Sequence, residues 1–149
     1  MLPLFSAVAA LSIFQLASAA NYTLEAENGV LSGTGIESSI AGFSGTGYVG
    51  GFDEGTDSVT VSVNITALGL YDLSVRYHAP YGDKKSALSL NGAGAGEVSF
   101  VSTTNFTTVA AGKVLLQAGV NTLTLTVCFT QPTPSFYSPI LERLGLVLC

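Results

Sequence analysis

The 149-residue sequence has no tryptophan, one histidine and two cysteines, and charged residues make up only 10% of it. Five Lys and Arg stand against ten Asp and Glu, so the net charge is -5. A chain with so few basic residues cannot build the positive surface that holds a phosphate backbone, and we expect no nucleic-acid partner. Because His78 is the single histidine and neither Cys128 nor any serine lies in a recognisable nucleophile motif, we expect no catalytic activity.

Long apolar runs and helical periodicity are missing after residue 21. The mean hydropathy is positive, but beyond the N-terminus the apolar residues are mixed with Ser, Thr and Gly. No segment there is long enough and apolar enough to span a bilayer, so we expect no membrane partner. About 130 residues remain after a leader is set aside, which is the size of one domain, and we expect a monomer.

The first 19 residues resemble a secretory leader. Residues 1–19 have an apolar centre and end in Ala17-Ser18-Ala19, a pattern typical of signal-peptidase cleavage before Ala20 or Asn21. No Lys or Arg precedes the apolar centre, and a buried N-terminal helix is the alternative interpretation. We expect a signal peptide, a single domain over residues 20–149 and a secreted, extracellular protein.

Three Asn-x-Thr sequons agree with secretion. They lie at Asn21, Asn64 and Asn105 and are candidate glycosylation sites. Because Thr-rich chains form such triplets by chance, each one is weak evidence alone. Glycans are compatible with the fold only where these asparagines lie on exposed turns or strand ends.

The two cysteines, Cys128 and Cys149, would ordinarily pair in an oxidising compartment. If 121–128 and 140–148 are neighbouring antiparallel strands, however, the sulfurs lie about 25 Å apart at about 3.3 Å per residue. A disulfide requires Cα atoms within about 7 Å of each other. Either the cysteines are unbonded, which we favour, or this interpretation of the last strand is wrong.

Apolar residues recur with a period of two through most of the chain, which predicts half-buried strands. The clearest alternations fall in 59–65, 71–77 and 123–127. Shorter candidates are 22–27, 48–51, 86–90, 97–101 and 113–116. Turn signals such as Asn28-Gly29 and Asn91-Gly92 separate them at intervals typical of a sandwich. The sequence therefore predicts an all-β fold, a two-sheet antiparallel β-sandwich of jelly-roll type.

Five ordered segments follow a recognisable pattern: LEAENG (24–29), GFSGTGYVG (42–50), DSVTV (57–61), GLYDLSVRY (69–77) and LLQAGVNTL (115–123). Together they resemble carbohydrate-binding modules of families 35 and 6, most closely the family 35 modules of fungal mannan-degrading enzymes. The resemblance implies a calcium-stabilised jelly roll that binds sugar through loops at one end.

The acids of the first strand are the candidate metal ligands. Glu25 and Glu27 are two residues apart, so on a strand both side chains share one face. Spacing alone favours an edge strand with two solvated acids. The resemblance implies instead that they bind a structural calcium, with Glu142 at the acid position of the last strand as a third ligand and backbone carbonyls near 45–48 completing the shell.

The loop 78–85 is the first candidate sugar site. Pro80 and Gly82 would hold Tyr81 outward, while Asp83 and Lys84 offer an acceptor and a donor for sugar hydroxyls. An ordinary solvated hairpin turn is the alternative, and the resemblance favours the sugar site, because this loop borders the cleft in related modules.

The second candidate lies in 128–139, where related fungal modules carry a tryptophan and this chain offers Phe136 or Tyr137. Phe106, at a position where relatives often have tryptophan, is interpreted either as cleft-lining or as packed between the sheets. Tyr48 and Phe52 are expected to be core and loop-packing residues.

The sequence thus predicts a secreted, non-catalytic module that binds plant-cell-wall polysaccharide, with mannan or galactomannan favoured. It could be a fragment or paralogue of a module normally attached to a glycoside hydrolase. A glycosidase with two carboxyls across a cleft is disfavoured, because Glu25 and Glu27 fit a calcium site better. The main alternative, given the missing tryptophan, is a secreted structural or host-facing protein that keeps the fold without sugar binding.

Overall fold

The computed structural model describes residues 20–128 and 140–148, and almost every element in this part of the chain is a strand. One 3-10 turn, Ala26–Asn28, follows the first strand. The strands in chain order are β1 (Asn21–Glu25), β2 (Val30–Ser32), β3 (Gly35–Glu37), β4 (Tyr48–Gly50), β5 (Ser58–Ile65), β6 (Gly69–His78), β7 (Lys84–Leu90), β8 (Ala93–Phe100), β9 (Thr107–Leu116), β10 (Gly119–Val127) and β11 (Ile140–Leu148).

The strands form two antiparallel sheets. Sheet A has the order β3-β4-β11-β6-β9, and β1 also pairs with β11. Sheet B has the order β2-β5-β10-β7-β8. This confirms the predicted two-sheet β-sandwich of jelly-roll type.

The core lies between the sheets and follows the alternation seen in the sequence. Along β6 every second residue from Tyr71 to Tyr77 is at most 3% exposed, whereas the residues between them face outward. Sheet B contributes the matching apolar residues of β5 and β10, because each sheet buries one face of its period-two pattern. Tyr48 and Phe52 are buried, as expected.

The last two strands correct one prediction. The estimated distance between the two cysteines assumed that β10 and β11 are neighbouring strands. Instead, β10 pairs with β5 and β7 in sheet B, while β11 belongs to sheet A. The chain therefore crosses between the sheets after Val127. Cys128 is half-buried and unbonded, and Cys149 lies outside the described residues, as do the predicted leader and the sugar-site candidates Phe136 and Tyr137.

Strand pairing divides the sandwich into two ends. Thr107 pairs with Tyr77, Lys84 with Phe100 and Leu141 with Val49, so the loops 38–47, 51–57, 79–83 and 101–106 gather at one end. We call this the loop end. The opposite end, called the turn end, carries the short turns at 66–68, 91–92 and 117–118. In the described part of the chain, no helix is long and apolar enough to cross a membrane.

Candidate functional site

The acid pair lies at the loop end, but its geometry differs from the prediction. Glu25 is the last residue of β1, whereas Glu27 lies in the 3-10 turn and not on the strand. The expectation of one shared strand face was therefore wrong. The two carboxylates nevertheless converge, because a Cβ built on Gly45 would lie 2.2 Å from Glu27 Oε1 and 3.5 Å from Glu25 Cδ.

The loop 39–47 supplies hydrogen bonds to both acids. Ser44 Oγ donates to the two Glu25 carboxylate oxygens at 3.3 Å. The backbone N–H of Thr46 donates to Glu27 Oε1 at 3.0 Å. Gly45, between these donors, has a φ of 67°, a left-handed conformation that glycine adopts without strain. The close approach and the positive φ both favour glycine here.

Glu27 is a buried carboxylate with an unmet requirement. The residue is only 6% exposed, and its buried Oε2 atom has no hydrogen-bond partner within 20–128 or the described part of 140–148. Buried charges are normally paired or bound to metal ions, since an isolated carboxylate is costly to bury. The Glu25 and Glu27 carboxylates also provide the oxygen ligands that Ca²⁺ prefers, so these residues fit a bound calcium ion.

Glu142, the predicted third ligand, lies in β11, but its side chain lies outside the described residues. The backbone pairs the next residue, Arg143, with Glu25, and the pairing with β6 shifts register between Leu141 and Arg143. Position 142 thus lies at this irregularity, next to the turn that carries Glu27. Among the residues described, no group of three His, Cys, Asp or Glu side chains lies close enough to hold a metal.

Beside the acid pair lies a set of four rings, which we call the aromatic cluster: Phe43, Tyr48, His78 and Phe106. The Tyr48 ring lies 5.9 Å from that of Phe43 and 5.6 Å from that of Phe106, and His78 lies 5.5 Å from Phe106. Phe43 and Phe106 are partly exposed, while Tyr48 and His78 are buried. Phe106 lies outside the core between the sheets, so it lines the loop end.

Arg76 holds the aromatic cluster against sheet A. It projects from the outer face of β6, with its guanidinium carbon 5.2 Å from the centre of the Phe106 ring and its Nη2 donating to the Gly42 carbonyl at 2.9 Å. Burial and the neighbouring Arg143 lower the pKa of Arg76, while Glu25 opposes this shift. Arginine keeps its charge in proteins, so a cation–π contact and a hydrogen bond both persist at neutral pH.

His78 is the last residue of β6 and lies at the loop end. The residue is 6% exposed, and both ring nitrogens are buried without a hydrogen-bond partner in the described part of the chain. Its ring packs against Phe106 instead. The sequence alone offered no signal for this, because the loops that bury His78 come from distant parts of the chain.

The predicted sugar loop also lies at the loop end. Tyr81 is 57% exposed, and Gly82 has a φ of 95° that turns the chain beneath it. Asp83 Oδ1 accepts a hydrogen bond from the Ser102 N–H at 2.8 Å, so Asp83 also positions its own loop. Lys84 is half-buried and begins β7.

Two hydrogen bonds between Ala79 and Thr103 tie this loop to the segment before Phe106. The Thr103 N–H donates to the Ala79 carbonyl at 2.9 Å, and the Ala79 N–H donates to Thr103 Oγ1 at 3.0 Å. The fold thereby joins Tyr81 and the aromatic cluster at one end. The sequence singled out Tyr81, but it missed Phe43 and Arg76, which no local motif identifies as site residues.

The three sequon asparagines are all exposed. Asn21 begins β1, Asn64 lies on the outer face of β5, and Asn105 lies in the loop immediately before Phe106. Each position leaves room for a glycan, as the prediction requires.

The chain belongs to a known family of sugar-binding domains. The family model described as "Carbohydrate binding module (family 35)" matches residues 22–130, well over half of the chain. The protein is therefore a family 35 carbohydrate-binding module, as the sequence segments indicated.

The curated relatives are longer proteins, and this chain matches only a part of each. The chain is 46% identical over 101 residues to a mannan endo-1,4-beta-mannosidase of Thermothelomyces thermophilus, covering 68% of this chain and 21% of that protein. It is 44% identical over 102 residues to mannan endo-1,4-beta-mannosidase B of a Piromyces species, covering 68% of this chain and 18% of that protein. The chain thus spans about a fifth of the length of these curated relatives.

Solved structures agree with this assignment. A Podospora anserina GH26-CBM35 β-(1,4)-mannanase superposes with a TM-score of 0.77 at 39% identity, covering 87% of this chain and 28% of that one. A family 35 module from Clostridium thermocellum superposes with a TM-score of 0.76 at 23% identity, covering 86% of this chain and 98% of that one. The second likeness concerns the fold alone.

Proposed function

We propose that this protein is a secreted, non-catalytic module that binds plant-cell-wall polysaccharide at its loop end, with mannan or galactomannan favoured. The observation that carries the proposal is the partly exposed pair Phe43 and Phe106, which lies at the loop end of a family 35 module together with Tyr81. The preference for mannan is supported by relatives that are mannan endo-1,4-beta-mannosidases.

The physical basis is the shape of a sugar ring, which has an apolar C–H face and a rim of hydroxyls. Aromatic rings bind the apolar face, and a few polar groups orient the hydroxyls. Phe106 is suited to the first task because Arg76 and His78 fix its ring. Tyr81 is proposed for the same task, with Phe136 and Tyr137 as further candidates outside the described residues. Asp83 and Lys84 are proposed for the second task.

A structural calcium ion bound by Glu25, Glu27 and Glu142 is part of the proposal. The partnerless Glu27 Oε2 and the approach of both carboxylates to Gly45 support it. The ion would neutralise the repulsion between the carboxylates and anchor the loop 39–47. Saturating calcium should raise the melting temperature, and a melt that excess EDTA leaves unchanged would argue against the site.

Secretion, glycosylation and a monomeric state complete the proposal. The apolar leader over 1–19 and the exposed sequons at Asn21, Asn64 and Asn105 support an extracellular glycoprotein. Expression in a eukaryotic host, followed by glycosidase treatment and mass measurement of the secreted protein, tests secretion and glycosylation. An unglycosylated product that keeps residues 1–19 would contradict them.

Retention on insoluble polysaccharides tests the main proposal. The purified protein, in calcium, should be retained on mannan more strongly than on xylan or cellulose. Phe106→Ala and Tyr81→Ala should each weaken mannan binding about tenfold, because each removes a ring that can contact the sugar. Leu70→Ala is the matched control, since Leu70 is 44% exposed but lies near the turn end.

The controls also separate the alternative function. If Leu70→Ala weakens retention as much as Phe106→Ala, the loop end is not the binding site. If the protein is retained on none of the polysaccharides in calcium, it is better explained as a structural or host-facing protein that keeps the fold.

A further inference from the structure

One short loop contacts both the acid pair and the aromatic cluster. Within 39–47, Ser44 and Thr46 donate to the carboxylates of Glu25 and Glu27. In the same loop, the Gly42 carbonyl accepts a hydrogen bond from the Arg76 guanidinium, and the Phe43 ring lies against Tyr48. The contacts with the acids and those with Arg76 and the Tyr48 ring thus fall within five consecutive residues, 42–46.

The same loop is anchored at its start by Tyr48. The Tyr48 hydroxyl lies 2.9 Å from Ser39 Oγ and accepts a hydrogen bond from the Ile40 N–H at 3.3 Å. Tyr48 is fully buried, so it offers a fixed support rather than a mobile one. Between Ile40 and Ser44, the loop contacts Arg76 through the Gly42 carbonyl and Tyr48 through the Phe43 ring.

Arg76 links the loop to Phe106, beside the direct contact of the Tyr48 ring with Phe106. It lies on β6, which is paired on both sides, with β11 and with β9, and is therefore held firmly within sheet A. One guanidinium contacts the Gly42 carbonyl and the face of Phe106. The loop and Phe106, which are far apart in sequence, thus share one cationic partner.

We propose that a cation at the acid pair and a saccharide at the aromatic cluster bind cooperatively, with Arg76 as the positioning residue that couples them. This inference rests on the proposed function. Without the ion, two carboxylates repel each other and Glu27 Oε2 has no partner, so the loop they hold is weakly fixed. With the ion, the loop orients Gly42 and Arg76, and Arg76 in turn fixes Phe106 for the sugar.

Amide hydrogen exchange on the purified protein, with Ca²⁺ or with EDTA, tests the coupling without any sugar. Calcium should slow exchange at 42–48, where Ser44 and Thr46 contact the acids, and also at 104–107, where Phe106 contacts Arg76 and Tyr48. In Arg76→Gln, the protection at 42–48 should remain while that at 104–107 is reduced, because only the Tyr48 contact is kept. Lys113→Gln is the matched control, because Lys113 is a cation on the same sheet that pairs with Asp72 instead.

Two results would overturn the coupling. The first is unchanged exchange at 104–107 when calcium protects 42–48 in the natural protein. The second is equal loss of protection in Arg76→Gln and Lys113→Gln, which would point to a general charge effect. The first result does not depend on whether Arg76→Gln folds, since it uses the natural chain alone.

Calorimetric titration with a soluble mannooligosaccharide supplies the second readout. The sugar should bind about 5- to 50-fold more tightly in calcium than in EDTA, and calcium should bind more tightly by the same factor when the sugar is present. Equal affinities would overturn the coupling while leaving sugar binding intact. Absence of binding even in calcium would overturn the proposed function, and hydrogen exchange would still decide the coupling.

Discussion

The two ends of the sandwich treat buried polar groups differently. At the turn end, Asn121 is fully buried, and its amide accepts from the Gln117 N–H and the Asn91 side chain and donates to the carbonyls of Gln117 and Gly119. At the loop end, Glu27 and His78 are nearly as buried, yet Glu27 Oε2 and both His78 nitrogens lack partners among the residues that the structure describes. Satisfied groups stabilise a fold, whereas unsatisfied ones mark places where a ligand can supply the missing interaction.

This contrast supports the proposal that the loop end is the binding end, whereas the polar groups of the turn end serve the structure. The amide of Asn121 closes the turn between β9 and β10 and ties it to the hairpin between β7 and β8. The loop end instead exposes Phe43 and Tyr81 and leaves a carboxylate oxygen unpaired. Three substitutions test whether the two ends of the sandwich differ in this way.

The largest effect is expected from Asn121→Ala. The change leaves the Gln117 N–H and the Asn91 amide without their buried partner, so we expect a loss of about 3 kcal/mol in the free energy of unfolding. Chemical denaturation measures it. Gln117→Ala is the matched control, because Gln117 takes part through its backbone and should lose less than about 0.5 kcal/mol. Similar losses in both variants would refute the structural role of the Asn121 amide.

The second-largest effect is expected from Gly45→Ala. The free energy of unfolding should fall by about 2 kcal/mol, and calcium should no longer raise the melting temperature. A Cβ there meets Glu27 Oε1, and the φ of 67° is unfavourable for alanine. Gly92→Ala is the matched control, since Gly92 has a φ of 78° but open space around it, and should lose only about 1 kcal/mol. Melting curves with and without calcium distinguish the two. A full calcium response in Gly45→Ala would contradict the proposed ion site.

The smallest effect, and opposite in sign to that of Asn121→Ala, is expected from His78→Phe. The change removes two polar atoms that have no partner and keeps a ring against Phe106, so stability should stay equal or rise by about 1 kcal/mol. Denaturant titration checks this. A clear loss of stability would mean that the imidazole is satisfied in solution, and the contrast between the two ends would then fail at this residue.

Much of the fold was predictable because it depends on local alternation. The strands β5, β6 and β10 each bury one face, and their period-two patterns record it directly. The strands β2 and β3 were missed because they are three residues long and have largely exposed side chains. Backbone pairing with β5 and β4 holds these two, and such pairing leaves no hydrophobic pattern.

The candidate site was predictable only in part. Glu25 and Glu27 were found from an ordered sequence motif, although the 3-10 turn that brings Glu27 beside Gly45 was not. Tyr81 was found because Pro80 and Gly82 mark a turn. Arg76 was missed, because its partners Gly42 and Phe106 lie about 30 residues away on either side and no local pattern records them.

The sequence alone is enough to predict most of the strands, which of their faces are apolar, and the family of sugar-binding modules to which the chain belongs. Alternation and turn residues act locally, so they survive in the linear order of the chain. Only the tertiary structure decided that β10 and β11 lie in opposite sheets, and that Phe43, Arg76, His78 and Phe106 meet beside the acid pair. Such meetings depend on which strands pair across long distances, and side-chain periodicity does not specify the partner.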